Sequence, residues 1–534
     1  MKTTIKNLIL SAVLVVGGAS CVDLDTAPYD RETDLTYWEE DPEAAVKALN
    51  TCYTYLGNMD EQLYCEAMTD NAYTKQPNDA TQNIGNGSYS TADPYVKKVW
   101  DGRYTGIRMC NELLENIDRV PDLDPELKKR YIGEAKVLRA YNYYELYTKF
   151  GDVPYTTKVL SIKESMSIAR TAKATVIANI LADLDEVING NYLPTSYDAD
   201  NKGRITRWAA MAIKAKIYLF EGNWTQVKNI TSTIMTEGGF KLFGSYAGLF
   251  EIANEYNSEV ILDAQYRPTS REHQMMYVFL PPTLGGYSQL SPLQELVDSY
   301  IMLDGKTIKE TGTSFDESHP YANRDPRLKA TVMYTGNSYT LADGTEVVIN
   351  CEKGEGKDGY GVGSDCSATG YYIKKYWDNT YRATLYSGLN PILIRYADIL
   401  LMNAEALAEL GELDKTAWDA TIKPIRARAG FTLASAVEFP EGASKDKLIE
   451  IVRNERRSEL ALEGHRHKDI IRWRIADEVL NGWCHGLKTN EVVGTDNGYV
   501  RVENRVFNAN RHYLWPIPQA ERDLNGNLEQ NPNW

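Results

Sequence analysis

The segment Leu448–Trp473 reads LIEIVRNERRSELALEGHRHKDIIRW. Its apolar residues begin at helical spacing, and Glu455, Glu459 and Glu463 recur every fourth residue along one face. Like charges at this spacing repel one another on a helix, so the folded chain must bring cations to them. The segment therefore predicts a helix built into a buried or half-buried network of ion pairs.

The nearest candidate cations are Arg456, Arg457 and Arg466, and we expect arginine forks to satisfy carboxylates from neighbouring helices. An enzyme interpretation also exists, because His465 and His467 beside these glutamates offer acid, base and metal-ligand chemistry. The two histidines are two residues apart and diverge on a helix, whereas a zinc-protease helix spaces its histidines four apart. We therefore predict a structural network, with no catalytic residue, no metal site and no cofactor.

The same segment carries a family resemblance. From Asn454 onward, NERRSELALEGHRHKDIIRW resembles the signature ERR-x-EL-x-x-EGHR-x-x-D-x-x-RW of the SusD/RagB family, whose members are surface lipoproteins that bind nutrients for TonB-dependent uptake in Gram-negative bacteria. Further landmarks fall in the family's order: PLQELVDSYIMLDGK at Pro292–Lys306, NRDPRL at Asn323–Leu328, YYIKKYW at Tyr371–Trp377, then NPILIRYADILLMNAEALAE and the ending YLWPIPQAERDLNGNLEQNPNW. The resemblance thus spans nearly the whole mature chain.

Two loops imitate functional motifs. In Asn323–Leu328, Pro326 fixes its own φ and pushes Asp325 toward extended backbone. The arginines and the aspartate of this loop can fasten it down through charge-assisted hydrogen bonds, so we interpret it as structural. The glycine-rich run near Gly354 lacks the order of a P-loop, and we interpret it as a flexible loop.

Composition describes a globular chain: 534 residues, 43% hydrophobic and 25% charged. The net charge of −16 argues against a nucleic-acid-binding surface. Tyrosine is unusually frequent, with 36 Tyr against 10 Phe. Because tyrosine joins a flat apolar face to a polar tip, this suits sugar recognition and half-buried helix seams equally.

The N-terminus has the pattern of an export signal. Residues 1–20 contain two lysines, the apolar run Leu8–Val16 and small residues directly before Cys21. These small residues resemble a lipobox, which implies that Cys21 is the lipidated first residue of the mature protein, although Gly18 departs from the usual Leu or Val. No later apolar run reaches the roughly 20 residues of a membrane-spanning helix. We expect a body that is tethered by its N-terminus.

Six further cysteines lie in this oxidising context, where disulfides can form. Cys351 and Cys366 flank a glycine-rich loop and are the candidate disulfide pair. Cys52 and Cys110 lie in helical patterns, where we expect buried free thiols. No CxxC pair or Cys/His cluster suggests zinc.

Helical periodicity predicts four tetratricopeptide-like hairpins, with alanines in the seams and glycines at the turns. Helices are predicted over Val99–Val120 and Pro125–Gly151, and later hairpins break at Gly222 and Gly411. The last two turns are 189 residues apart, where a tandem array would repeat every 34 or so. An insertion over Phe240–Asn390, rich in Gly, Pro, Ser and Tyr, therefore interrupts the repeats.

The predicted organisation is a signal peptide at 1–20, a lipidated leader at 21–40, an N-terminal helical region at 41–239, the mixed insertion at 240–390 and a C-terminal helical region at 391–534. We expect a helix opened by Asp41 and Pro42, and an insertion of loops, small strands and short helices. The fold class is mainly α, folded as one compact unit, which the resemblance identifies with the SusD-like α/α superhelix.

Two polar, aromatic loops are candidates for a ligand site. Residues 61–93 show no helical period and read as a long loop, and a second loop lies between Pro268 and Gln289. Sugar binding needs flat aromatic faces and short polar side chains rather than a metal or cofactor. By that test the predicted site residues are Asp70, Asn71, Tyr73, Gln76, Tyr89, Arg271, Tyr287 and Gln289. The alternative is that these tyrosines only cover their loops.

The resemblance implies a lipid-anchored outer-membrane protein that faces the cell exterior. Its expected partner is a SusC-like TonB-dependent barrel transporter, which it caps as a hinged lid, and its expected ligand is a glycan oligomer, with a peptide as the alternative. Two other interpretations remain: a tetratricopeptide adaptor that binds only proteins, and a surface glycoside hydrolase. For a hydrolase no carboxylate pair stands out among the 74 acidic residues.

Overall fold

The architecture is dominated by helices packed as antiparallel neighbours, as seen in a computed structural model that describes residues 33–34, 36–75, 80–380 and 384–534. The α-helices are α1 Ala44–Tyr53, α2 Met59–Tyr64, α3 Ala80–Asn86, α4 Pro94–Asn116, α5 Pro125–Phe150, α6 Ile162–Ser165, α7 Lys173–Asn189, α8 Arg207–Phe220, α9 Trp224–Glu237, α10 Met275–Phe279, α11 Gln294–Ser299, α12 Pro326–Thr331, α13 Tyr396–Leu410, α14 Lys415–Ala420, α15 Ile422–Ala429, α16 Ala434–Val437, α17 Lys445–Glu459, α18 Arg466–Arg472, α19 Ala476–Val479 and α20 Gln519–Leu524. The predicted mainly α fold is confirmed. Among the described helices, none has both the length and the apolarity that crossing a bilayer requires.

The strands are short and lie mostly in pairs. They are β1 Ala72–Thr74, β2 Val260–Asp263, β3 Leu290–Pro292, β4 Val332–Met333, β5 Ser338–Thr340, β6 Glu346–Val348, β7 Tyr372–Ile373, β8 Ile392–Arg395, β9 Gly482–Lys488, β10 Thr495–Asp496 and β11 Tyr499–Arg505. Antiparallel pairs join β1 to β3, β2 to β8, β4 to β7 and β5 to β6, and a three-stranded sheet has the order β10-β11-β9.

Local sequence explains the ends of the long helices. The carboxylate of Asp93 accepts hydrogen bonds from the first turn of α4, and Pro94 occupies its first position, so this helix begins five residues before the predicted Val99. Helix α5 ends at Phe150, and the next residue, Gly151, caps it with a φ of 72° that favours glycine. The hairpin turns predicted at Gly222 and Gly411 are both confirmed.

The first core joins α1, α4, α5, α7, α8 and α9, together with part of α13. The helix contacts in this core combine small residues such as Ala209 and Ala212 with large ones such as Trp208. Trp515, from the C-terminal segment, packs into the same core. Helix α1 begins at Ala44 rather than at Pro42, because the carboxylate of Asp41 accepts from the backbone N–H of Glu43 and holds the preceding turn.

The second core shows how the insertion is attached. Residues of the 240–390 range, such as Phe279 and Tyr372, pack with Met59 and Leu63 of α2 and with Leu462. The range therefore buries its apolar side chains against segments that precede and follow it. It is built from short helices and small strands, as predicted.

Two regions differ from their predictions. Residues 61–93 are not one long loop, because part of α2, β1, α3 and a 3-10 turn at Cys65–Met68 lie there. Asn58 caps α2 through its side chain, and β1 is fixed by pairing with β3. The predicted C-terminal helical region also contains the β10-β11-β9 sheet. Register shifts between β9 and β11 interrupt the alternation of apolar and polar residues from which a strand is predicted.

The cysteines of the described residues are all free thiols. The expected Cys351–Cys366 disulfide is absent: Cys351 lies in the second core, and the thiol of Cys366 donates to the carbonyl of Lys357 at 3.3 Å. Cys52 and Cys110 are buried and free, as predicted. Cys21 and the rest of the predicted signal and leader through Glu32 lie outside the described residues.

Candidate ligand-binding site

A buried ion-pair network surrounds Glu455 and Glu459 of α17 and Glu463. The helix ends at Glu459, so Glu463 lies beyond it and not on the predicted helical face. Five cations and five carboxylates take part, and each of these side chains is at most 7% exposed. The cations are Arg327, Arg395, Arg426, Arg428 and Lys375, and the carboxylates are Glu259, Asp325, Glu455, Glu459 and Glu463. The equal number of opposite charges is what makes so much buried charge tolerable.

Arg395 lies at the centre of this network. Its guanidinium donates to Glu459 at 2.6 Å, to Glu259 at 2.7 Å and to Glu463 at 2.7 Å, and the side chain is fully buried. Desolvation raises the pKa of Glu459, but the surrounding arginines outweigh it and hold this pKa at about 2. Glu459 is therefore an ionised structural group and does not act as an acid or base near neutral pH.

The predicted network is present, but its expected partners are different. Arg456 pairs with Asp398 at 2.6 Å and Asp469 at 2.9 Å, while Arg457 and Arg466 pair with Asp70. These three arginines leave α17 and α18 in other directions than the glutamate row, because neighbouring positions on a helix do not share a face. The glutamates instead take their cations from distant segments.

The two histidines of the segment do not form a catalytic pair. Desolvation lowers the pKa of His465 and of His467 to about 3, so both are neutral. The ammonium of Lys216 lies 3.5 Å from Nδ1 of His465 and adds to this effect. Across the described ranges no group of three or more His, Cys, Asp or Glu residues is arranged to hold a metal ion.

The NRDPRL loop is fastened down as predicted. Arg324 donates to the carbonyls of Val297 at 2.6 Å and Tyr300 at 2.8 Å. Asp325 caps α12 and pairs with Arg327 at 2.7 Å, which links the loop to the α17 glutamates. Each of these charged groups is occupied by protein partners, so the loop acts as a brace.

Two predicted site residues are interior. Asp70 is 5% exposed and accepts two hydrogen bonds from Arg466, at 2.8 and 2.9 Å. Burial raises its pKa, but Arg457 and Arg466 outweigh burial and hold it well below the usual range. Asn71 is 1% exposed, donates to Glu66 at 2.8 Å and accepts from Arg457 at 2.9 Å. Internal partners therefore take up polar atoms of both side chains, although Asp70 also borders a cavity of about 410 Å³ beside Trp483. Their part in ligand binding stays a prediction.

Tyr89 also belongs to the interior. It is 4% exposed, and its ring lies 4.8 Å from that of Trp534 and 5.1 Å from that of His512. Residues near the C-terminus cover this tyrosine, and the sequence of the loop alone does not predict that contact. Gln76 lies outside the described residues.

Two stacked tyrosines form an exposed aromatic platform. The rings of Tyr277 and Tyr287 are 5.7 Å apart with an interplanar angle of 14°, and Tyr287 is 46% exposed. The backbone N–H of Tyr287 donates to the carbonyl of Tyr277 at 2.8 Å, which holds the two rings together. Such a nearly parallel pair offers the flat apolar face on which a sugar ring can stack. We call it the tyrosine platform.

Gln289 connects this platform to a cavity of about 460 Å³. It lies two positions after Tyr287 in the chain, a reach of at most about 7 Å. The cavity lies between the turn after α1 and the start of α4, and its wall is lined by half-buried tyrosines and by polar groups: Tyr55, Asn58, Glu61, Tyr64, Tyr95, Lys98 and Arg103. Its size is that of ordinary small-molecule sites. We call it the tyrosine cavity.

The polar groups of the tyrosine cavity are held in place. Asn58 accepts from the backbone N–H of Glu61 at 2.8 Å, and Arg103 donates to the carbonyl of Tyr55 at 2.9 Å and pairs with Glu61. A ligand would therefore meet fixed donors and acceptors beside aromatic faces. The chemistry that these groups offer is binding and orientation, through hydrogen bonds and aromatic contacts.

The remaining two predicted residues lie at different places. Tyr73 is half-buried on β1, and its hydroxyl accepts from Gln82 at 3.2 Å. Its backbone pairs with that of Ser291 on β3, the strand that begins directly after Gln289. Arg271 is exposed, lies 5.2 Å from the Tyr266 ring and lines a separate cavity of about 250 Å³.

Sequence reasoning missed the tyrosines of the cavity. Tyr95 sits in the first turn of α4, before the predicted start of that helix, and Tyr55 follows α1 in a short turn. A signal was available: Asp93 and Pro94 mark a helix start, and Asn58 with Glu61 matches a capping pattern. These signals place both segments at helix ends, where side chains can border a cavity.

Comparison with known proteins agrees with this fold. Residues 249–534 match the SusD family, and residues 37–219 match the family described as "Starch-binding associating with outer membrane". "SusD-like protein P25" of Formosa agariphila is 27% identical over 515 residues, which cover 89% of this chain and 91% of that protein.

Solved structures show the same architecture. A SusD-like carbohydrate binding protein from Bacteroides fragilis superposes with a TM-score of 0.81 at 28% identity, covering 92% of this chain and 100% of that chain. A laminarin binding SusD-like protein has a TM-score of 0.68 at 24% identity, covering 92% of this chain and 99% of that chain. Because the first family match alone includes more than half of the residues, the chain belongs to the SusD family.

Proposed function

We propose that the protein binds glycan oligomers at the tyrosine platform and the adjoining tyrosine cavity. The observation that carries this proposal is the exposed, nearly parallel Tyr277–Tyr287 pair next to a cavity with fixed amide and charged groups. Aromatic faces stack on the apolar faces of sugar rings, and the polar groups bind their hydroxyls. A relative of the same fold at 28% identity is described as carbohydrate binding, which supports a glycan over a peptide.

We propose that the protein does not cleave its ligand. Glu455 and Glu459 of α17 are buried and ion-paired, so they cannot flank a glycosidic bond. Incubating the purified chain with a polysaccharide that it binds should release no shorter sugars. Release that is lost in Glu455→Gln while the melting temperature is kept would show that this carboxylate is catalytic.

The binding test begins with a panel of soluble polysaccharides and peptides. Native electrophoresis in gels that contain each polysaccharide should show retardation with at least one, and Tyr287→Ala should weaken that binding about tenfold. Tyr256→Ala is the matched control, because Tyr256 is 39% exposed and lines neither the platform nor the cavity. Binding of peptides alone would favour the peptide alternative, and binding of neither would favour a protein adaptor.

The location and partner are proposed from the sequence and the family. A lipid on Cys21 would hold the chain at the outer membrane with its body outside the cell, as the lid of a SusC-like TonB-dependent barrel transporter. The family description of residues 37–219 supports an association with the outer membrane. Protease treatment of intact cells should cleave the protein, and Cys21→Ser should release it from the membrane fraction. A chain that resists the protease, or a variant that stays bound, would contradict this location.

The partner is tested separately by purification. Affinity capture of the mature chain from detergent-solubilised outer membranes should recover a barrel protein of the TonB-dependent class. Capture of the chain without such a barrel would contradict the lid proposal but would leave the proposal of glycan binding unaffected.

A further inference from the structure

A second cavity lies on the C-terminal side of the molecule, where the β10-β11-β9 sheet meets α11 and α17. It has a volume of about 410 Å³ and shares none of its lining residues with the tyrosine cavity. Trp483 on β9 borders it and is 45% exposed. An exposed indole that borders a cavity offers an aromatic surface to a ligand.

Trp483 is held in a position that suits stacking. Its backbone pairs with Asn504 in the β9–β11 ladder, and the guanidinium of Arg501 lies 5.5 Å from the ring centre. Arg501 is itself held by an ion pair with Asp496. The indole of Trp483 therefore contacts a fixed cation, while 45% of the residue stays exposed. The exposed part of the indole is available for contact with a sugar ring.

Polar groups on α17 and α11 line the same cavity. Arg457 donates through Nε to Asn71 at 2.9 Å and through Nη2 to the carbonyl of Asp70 at 3.0 Å. Its Nη1 has no hydrogen-bond partner in the described part of the chain and remains a donor. Asn454 donates to the carbonyl of Ser299 at 3.0 Å, which leaves its amide oxygen as an acceptor.

An adjoining cavity extends this site into a groove. It has a volume of about 310 Å³, shares Asn454 and Arg457 with the first cavity and reaches Trp473. Because they share these two lining residues, the two cavities adjoin, and we call them together the Trp483 groove. Four acidic and three basic side chains line its larger cavity, so the groove has almost no net charge and does not select an acidic ligand.

We propose that the Trp483 groove is a second binding site for a neutral oligosaccharide, in addition to the tyrosine platform and cavity. The proposal rests on the proposed glycan-binding function and deepens it. An exposed indole supplies an aromatic surface for stacking, and Nη1 of Arg457 and the amide of Asn454 supply a donor and an acceptor for hydroxyl groups. The adjoining volumes of about 410 and 310 Å³ have room for more than one sugar ring. A chain with two such sites would hold one long glycan at two places or two glycans at once.

Titration calorimetry of the full mature chain tests this proposal, with maltohexaose, laminarihexaose and xylohexaose as probes. In the Tyr287→Ala background, the binding that remains should weaken about tenfold on Trp483→Ala and should largely return on Trp483→Phe. Leu433→Ala is the control for loss of an exposed apolar side chain, since Leu433 is 49% exposed and lines neither cavity.

The outcomes separate the two proposals. If Tyr287→Ala removes all binding and Trp483→Ala has no effect, the groove is not a site and the proposed function stands. If Trp483→Ala removes all binding while Tyr287→Ala does not, the groove is confirmed and the tyrosine platform is not a site. If the wild-type chain binds none of the probes, the groove proposal is overturned, and the polysaccharide panel then decides the proposed function alone.

Discussion

Replacing Arg395 by leucine should destabilise the fold more than most single substitutions, because this arginine balances three carboxylates. It donates to Glu259, Glu459 and Glu463 at 2.6 to 2.7 Å, and it also donates to the backbone carbonyl of Glu459 at 2.8 Å. Leucine fills part of the space but supplies no charge and no donor. The network would keep four cations for five carboxylates.

The magnitude follows from what remains. Arg428 still pairs with Glu259 at 3.0 Å, Arg327 with Glu459 at 2.8 Å, and Lys375 with Glu463 at 2.6 Å, so no carboxylate loses its last cation. One net negative charge nevertheless stays buried. Breaking a buried pair in this way typically costs about 3–5 kcal/mol. We expect the free energy of unfolding to fall by about that amount.

Urea unfolding followed by tryptophan fluorescence measures this change. Lys447→Leu is the control, since its pair with Glu450 spans 3.0 Å between side chains that are 42% and 60% exposed and should contribute about 1 kcal/mol or less. The double variant Arg395→Leu/Glu259→Leu restores charge balance and should recover part of the loss, because Arg428 keeps its pair with Glu459 and Lys375 its pair with Glu463. A loss below about 1 kcal/mol in Arg395→Leu, or no recovery in the double variant, would refute the argument from charge balance.

Three further predictions concern pH, backbone and thiols. Because the pKa of Glu459 is lowered from 4.5 to about 2, its contribution of about 3 kcal/mol is present above pH 4.5 and is lost as the pH falls toward 2; unfolding free energies that stay flat from pH 6 to pH 3 would contradict this. Gly87→Ala should destabilise by roughly 1–3 kcal/mol more than Gly336→Ala. Both glycines have a left-handed φ, but only at Gly87 would the new methyl lie 1.9 Å from a backbone oxygen, so equal melting temperatures would count against the packing described. Peptide mapping without reductant should find Cys351 and Cys366 unlinked, and a peptide that joins the two would show that the predicted disulfide forms.

Local patterns were enough for the helical part of the fold. The repeat of apolar residues predicted the hairpins, and the glycines at 222 and 411 marked their turns correctly. The row of three glutamates predicted a buried ion network. Its partners could not be predicted, because Arg395 and Arg327 precede Glu459 by 64 and 132 residues and meet it only through the tertiary fold.

The candidate site shows the same limit. Asp70 and Tyr89 have the composition of a binding loop, but distant residues cover them: Arg466 pairs with Asp70, and Trp534 packs against Tyr89. Tyr287 remains exposed because nothing in the described chain folds over it. Whether a polar aromatic loop faces solvent depends on contacts far away in sequence, which periodicity and turn chemistry do not contain.

The most direct test of glycan binding at the tyrosine platform and cavity is hydroxyl-radical footprinting of the mature chain, with and without a polysaccharide that it retains in native gels. Bound glycan should reduce the oxidation of Tyr277 and Tyr287 and of the cavity residues Tyr55 and Tyr95, while Tyr256 should be oxidised to the same extent in both samples. Unchanged oxidation at the platform and cavity tyrosines, with the glycan bound, would contradict the proposed site.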